Sequence, residues 1–202
     1  QTRWHELAEA NGFVVIFPRA VDGRWNLKNS ADDLAYVHAA WSDIRQKFNV
    51  SDTNAVYPTG FGTGASMAHQ LAMMGPVIGY MPPISAVAGI DGVADPSVFA
   101  LPRTQYTYPE QPGAVVRSDA TPFGGSLPAT AMSVWLLSTK AGTDVSQQAD
   151  YWKIQNDVRA TPVTTSDNAF DTTTYRNADN PFQEVRISTA RTATLTGKAL
   201  SE

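Results

Sequence analysis

The chain has 202 residues, 43% of them hydrophobic and 17% charged, with 15 basic against 19 acidic side chains and a formal net charge of −4. That balance describes a single folded domain and not a disordered chain, and basic residues this few and scattered argue against nucleic acid as a partner. There is no cysteine, which removes disulfides, thiolate metal sites and a cysteine nucleophile together, and no apolar run approaches the roughly 20 residues of a membrane helix.

In chain order, Gln1–Ala10 predicts the end of an amphipathic helix with Trp4, Leu7 and Ala8 on one face. Asn11-Gly12 then supplies the left-handed cap. Phe13 to Phe17 (FVVIF) is a continuous apolar run, which predicts a strand buried on both faces. Pro18 to Ser30 is a loop, and Trp25 within it is either a substrate-side aromatic or a lid over core residues. Asp32–Phe48 predicts a helix, because Leu34, Val37, Trp41, Ile44 and Phe48 fall on one stripe. His38 lies beside that stripe and reads as a boundary histidine rather than a catalytic base.

The next stretch, Val56-Tyr57-Pro58-Thr59-Gly60-Phe61-Gly62-Thr63-Gly64-Ala65-Ser66, predicts a short strand, a glycine-studded turn and a helix. Gly-x-[residue]-x-Gly between strand and helix is the sharp turn that mounts a nucleophilic serine in α/β-hydrolases. Here the central residue is Gly62. Such a tip is left-handed, at a steric cost of roughly 1–3 kcal/mol to a residue with a Cβ and none to glycine. Glycine relaxes the turn and deletes the attacking atom, while the amide of Thr63, one half of an oxyanion hole in this motif, survives. Ser66 falls about one helical turn beyond the tip. A dinucleotide turn fits less well: Ala65 stands where the last glycine of Gly-x-Gly-x-x-Gly belongs, and 75–90 contains no carboxylate for a ribose.

Ile84–Gly89 predicts the next parallel strand. Asp91 to Pro128 is rich in proline and glycine without a sustained period, an irregular cap-like excursion at about 91–128. Ser133–Ser138 is a further buried strand, Asp144 through Asp157 a helix, and Thr172–Tyr175 and Glu184–Thr189 the last strands. Strands alternating with helices imply an α/β domain over 1–202, with a doubly wound, mostly parallel sheet flanked by helices.

The runs Trp4-His5-Glu6-Leu7-Ala8, Asn11-Gly12-Phe13-Val14-Val15-Ile16-Phe17-Pro18, Asp32-Asp33-Leu34-Ala35-Tyr36-Val37 and Val56–Phe61 carry a family likeness. With Ala149–Asn156 and Glu184–Ile187 they resemble the polyhydroxybutyrate depolymerase and feruloyl esterase branch of the α/β-hydrolases over most of residues 4–190. The resemblance implies secreted serine esterases without metal cofactors. It also implies that the N-terminal strands, and the His-Gly loop with the second oxyanion amide, fall upstream of Gln1.

Carried over position by position, the serine becomes Gly62. The acid segment, usually His-Gly-Thr-x-Asp, reads Ser138-Thr139-Lys140-Ala141-Gly142-Thr143-Asp144, so either Asp144 is a displaced acid or Gly142 occupies its place. The segment that normally brings the histidine, Ala190 to Gly197, contains none; His5, His38 and His69 all precede it on helices. A triad depends on base, nucleophile and acid acting as a unit. The expectation is therefore a non-catalytic, esterase-derived module of a secreted, extracellular protein, used for binding, scaffolding or assembly. Thr63, Ser66 and Trp25 are its binding candidates, no metal or cofactor is expected, and its partner is a protein, a second copy, or an ester or aromatic small molecule. The competing expectation is an ester hydrolase with a rearranged site: Ser66 or Thr63 as nucleophile, Asp144 as acid, and His38 or His69 as base.

Overall fold

The computed structural model describes residues 3–27, 31–50, 55–78, 84–92, 131–139 and 144–191. Its helices are α1 (Trp4–Asn11), α2 (Ala31–Phe48), α3 (Thr63–Ile78) and α4 (Ser146–Gln155). Its strands are β1 (Thr59–Phe61), β2 (Ala86–Ile90), β3 (Ser133–Ser138), β4 (Val163–Ser166), β5 (Phe170–Arg176) and β6 (Glu184–Ala190). They form one sheet in the order β1-β2-β3-β6-β5-β4. The first four in that order pair in parallel, and β5 and β4 extend the sheet antiparallel. This is the mostly parallel α/β sheet with flanking helices that the alternation of elements predicts.

Two crossovers explain why the parallel part exists. Helix α3 carries the chain from β1 to β2, and α4 lies between β3 and β6; the small residues Ala68, Ala72 and Ala149 let both helices settle close to the sheet. Both belong to one apolar cluster with Val87, Val134, Leu136 and Val185, so they share a face of the sheet. Trp152 and Tyr151 fill the space between α4 and the strands, meeting edge to face at 5.1 Å between ring centroids. Rings of that size bury roughly 150–250 Å² each, worth about 4–6 kcal/mol per residue at most. Helix α2 packs on α3 through Leu34, Val37 and Met67. Asn156, at the end of α4, is fully buried. Its amide side chain pairs with both the N–H and the C=O of Met132 and donates to the Glu184 carbonyl, tying the starts of β3 and β6 together.

Two expectations change. Phe13 to Phe17 forms no strand. Phe13, Val14 and Phe17 are 42%, 46% and 63% exposed, and α1 before them buries no residue. An apolar run becomes a strand only where another edge takes up its hydrogen bonds, and no described strand pairs with this one. Conversely, β4 is a strand that the sequence does not predict: all four of its residues are exposed, so it has no buried-face alternation to read. It closes on β5 through a turn in which the Asp167 carboxylate accepts the amides of Ala169 and Phe170. Nearly all of the excursion expected at 91–128 lies outside the described residues, as does the β2–β3 connection.

Candidate functional site: a glycine-tipped elbow

Three glycines in five residues set the geometry of the β1–α3 turn. A Cβ on Gly60 would stand 2.2 Å from the carbonyl carbon of Gly64, so only glycine lets the helix begin this close to the strand. Gly62, at the tip, has φ +56°, and an ideal Cβ there meets no heavy atom within 4 Å. The left-handed tip expected from the sequence is thus formed, with open space above it. The Gly62 amide donates to the Ile90 carbonyl at 2.8 Å, and its carbonyl accepts from Ala65 and Ser66 at 3.0 and 3.3 Å. Those bonds fasten the tip to the end of β2 and to the first turn of α3.

The carboxyl ends of β1, β2 and β3 meet beside this turn, where open α/β sheets hold their ligands. Asp91, the residue after β2, is buried and left-handed at φ +49°, a conformation Asp tolerates better than most side chains. Its amide donates to the Leu137 carbonyl at 2.8 Å. Its carboxylate accepts the Thr139 amide at 2.7 Å and also the Thr139 hydroxyl. Asp91 therefore clamps the ends of β2 and β3 with both oxygens. In the sequence Asp91 stands only at the start of the expected excursion; its one local signal is Asp-Gly directly after an apolar strand.

Trp25 comes to the same end of the sheet. A Cβ on Gly64 would lie 3.9 Å from its Nε1, and its ring packs on the cluster of Leu34, Val37 and Met67. The two residues after it are anchored: the Asn26 amide donates to Asp33 Oδ2 at 2.6 Å, and Gln70 Nε2 donates to the Leu27 carbonyl at 2.8 Å. Trp25 is half-buried, so it is both a lid over that cluster and a neighbour of the elbow. Thr63 is exposed at the head of α3, whereas Ser66, one turn on, is buried.

His69 is fully buried, and desolvation pushes its pKa down to about 4. Its Nδ1 accepts from Trp152 Nε1 at 3.1 Å. Since an indole can only donate, the imidazole is neutral with its proton on Nε2. That nitrogen points at β2, 2.6 Å from where a Cβ on Gly89 would stand, so β2 must run as bare backbone beneath the ring. His38 lies 3.4 Å from Ser42 Oγ one turn along α2, with Trp41 at 6.1 Å between centroids. His5 is exposed beside Glu6. Asp144 is exposed ahead of α4, its Oδ1 accepting the Ser146 amide at 2.9 Å. Hydrogen bonds from Ser146, side chain first and amide second, hold its carboxyl below the usual range.

This arrangement places the Thr63 head of the helix, the Gly62 tip and the Trp25 ring together. His69 is paired with Trp152, and Asp144 with Ser146. A proton relay requires a base that substrate can reach, and His69 has no exposure. Among the described residues no group of three or more His, Asp or Glu side chains is placed to hold a metal ion. No described helix is long and apolar enough to cross a membrane.

No family model matches the chain. Over 111 residues, 54% of the chain, it is 28% identical to a bifunctional acetylxylan esterase/xylanase of Neocallimastix patriciarum. The matched stretch is 15% of that protein's length. The chain thus has a distant and partial esterase-like relationship, carried on an α/β sheet.

Proposed function

We propose that the chain is an esterase-derived domain that performs no covalent catalysis and serves as a binding or scaffolding module of an exported protein. The observation that carries this reading is Gly62 at φ +56°, with open space above it: a turn that keeps the shape of a nucleophile elbow and has no attacking atom. The surroundings support it, because the imidazole nearest in sequence, His69, is held neutral by burial and by Trp152. The similarity to a stretch of an acetylxylan esterase/xylanase supports an esterase-like origin. The finer placement, in the polyhydroxybutyrate depolymerase and feruloyl esterase branch, is part of the same proposal.

In this reading an ester or aromatic group lies against Trp25, its carbonyl turned to the amide of Thr63. Helix-terminal amides left unpaired within the helix suit such an oxygen. A composition rich in Thr, Ser, Asn and Ala and poor in lysine is compatible with export. Turnover of p-nitrophenyl acetate tests the proposal: hydrolysis at the rate of buffer alone is expected. Hydrolysis above that background which disappears in Ser66→Ala overturns it.

A further inference from the structure

The face of the sheet opposite α3 and α4 carries a feature that the elbow does not use. Trp135 on β3 points away from the apolar cluster and is 44% exposed, while its strand neighbours Val134 and Leu136 are buried on the other side. Its ring is not free to turn. Nε1 donates to Ser188 Oγ on β6 at 2.9 Å, Ser188 Oγ lies 2.8 Å from Thr172 Oγ1 on β5, and the Arg186 guanidinium carbon is 5.8 Å from the ring centroid. The indole is thereby held across β6 as a platform that needs no ordering when something stacks on it, and preorganisation of this kind raises affinity. Beside it is a cavity of about 390 Å³, lined by Trp135, threonine hydroxyls of β4 and β5, and the guanidinium groups of Arg176 and Arg186. That volume lies within the range of small-molecule sites.

The charges around the cavity select the class of ligand. Glu184 Oε1 accepts from Arg186 at 2.8 Å and Glu184 Oε2 lies 3.4 Å from Arg176, so one carboxylate is shared by both arginines. Asp167 on the rim supplies the second negative charge. Two cations and two anions leave no net field for a phosphate or a nucleic acid. Each guanidinium still has N–H groups beyond those bonded to Glu184, since arginine carries five. Among the described residues of the lining, Val163 is the only aliphatic one, which does not suit an amphipathic helix or a protein core residue.

An aromatic platform among hydroxyls and charge-neutral guanidinium donors matches a ligand with apolar C–H faces and a rim of hydroxyl groups. We propose that this face binds an uncharged carbohydrate chain, one sugar ring stacked on Trp135 and its hydroxyls bonded to Arg176, Arg186 and the β5 threonines. The inference does not depend on whether the elbow is catalytic.

Affinity electrophoresis of the full chain in gels containing soluble arabinoxylan, mixed-linkage β-glucan or glucomannan tests it, with polygalacturonate as the charged contrast. Retardation by at least one neutral polymer is expected. Trp135→Ala should weaken that binding about tenfold or more, and Trp135→Tyr, which keeps a ring, by less than about threefold. If circular dichroism shows that the alanine variant has lost its fold, oxidation of Trp135 by N-bromosuccinimide in the unaltered protein, mapped by mass spectrometry, decides instead: protection by the retarding polymer supports the site. Four outcomes overturn the inference. They are no retardation by any neutral polymer, equal retardation of folded Trp135→Ala, no protection of Trp135, or a dimer by light scattering in which Trp135 is protected without saccharide, which would give the face to a second copy.

Discussion

The α4–β6 region and the segment from α1 to Phe17 are both rich in apolar residues, and only one of them is packed. Trp152, Tyr151, Val134 and Val185 are at or below 1% exposure. Trp4, Leu7, Phe13, Val14 and Phe17 range from 39% to 63%. For Phe13, Val14 and Phe17 the difference lies in strand pairing, whereas Trp4 and Leu7 sit on α1, a helix that buries none of its residues. Strands β3 and β6 pair residue by residue from Val134 to Ser138, which holds their side chains at fixed spacing for α4 to cover. Residues 13–17 form no such ladder. Hydrophobicity supplies the driving force, but an apolar segment is buried only where its backbone is paired and another element covers its side chains.

Substitutions sharpen that contrast, and the largest effect belongs in the packed region. Trp152→Ala removes the largest fully buried side chain and leaves His69 Nδ1 without its donor; a loss of about 3–5 kcal/mol is expected in chemical denaturation. A loss below about 1 kcal/mol would mean that α4 is not packed as described.

The second effect is acid sensitivity through His69. Its folded pKa is about 4 against an ordinary value of 6.5. The unfolded chain therefore takes up a proton, as pH falls below 6.5, that the folded chain refuses. Stability is full above pH 6.5 and declines toward pH 4, by about 3 kcal/mol in total. Urea midpoints measured from pH 7 to 4 should show this decline, and His69→Gln should flatten it. An equal decline in the variant would assign the acid sensitivity to other groups. The smallest effect belongs to the exposed segment. Phe17→Ser should move the urea midpoint by no more than about 0.5 kcal/mol equivalent. A loss of about 2 kcal/mol or more would show that this segment is packed in solution.

Features fixed by neighbours in sequence are legible in the sequence alone. Gly60 and Gly62 stand two residues apart and answer local demands, one of close helix–strand approach and one of positive φ, so that short run is enough to specify the elbow. The buried start of the α2 stripe, Leu34 and Val37, and the αL cap at Gly12, observed at φ +69°, are equally local, while Phe48 at the far end of that stripe is exposed. Features joining distant positions are not legible in this way. The Trp152–His69 bond spans 83 residues and the Asp91–Thr139 clamp spans 48, and neither side chain in a pair announces the other. The failure of Phe13 to Phe17 to form its expected strand has the same origin: its composition suits a strand, but whether a strand forms depends on a partner edge elsewhere. Strand β4 is the converse, a polar segment recruited by β5 across a three-residue turn.

The central claim is that the elbow retains its backbone and has no nucleophile. Intact-mass spectrometry after incubation with a fluorophosphonate probe tests it most directly. A single species at the unlabelled mass is expected, with the protein folded by circular dichroism. Stoichiometric addition of one phosphonyl group, mapped to Ser66 or to any other serine or threonine near Gly62, would contradict it.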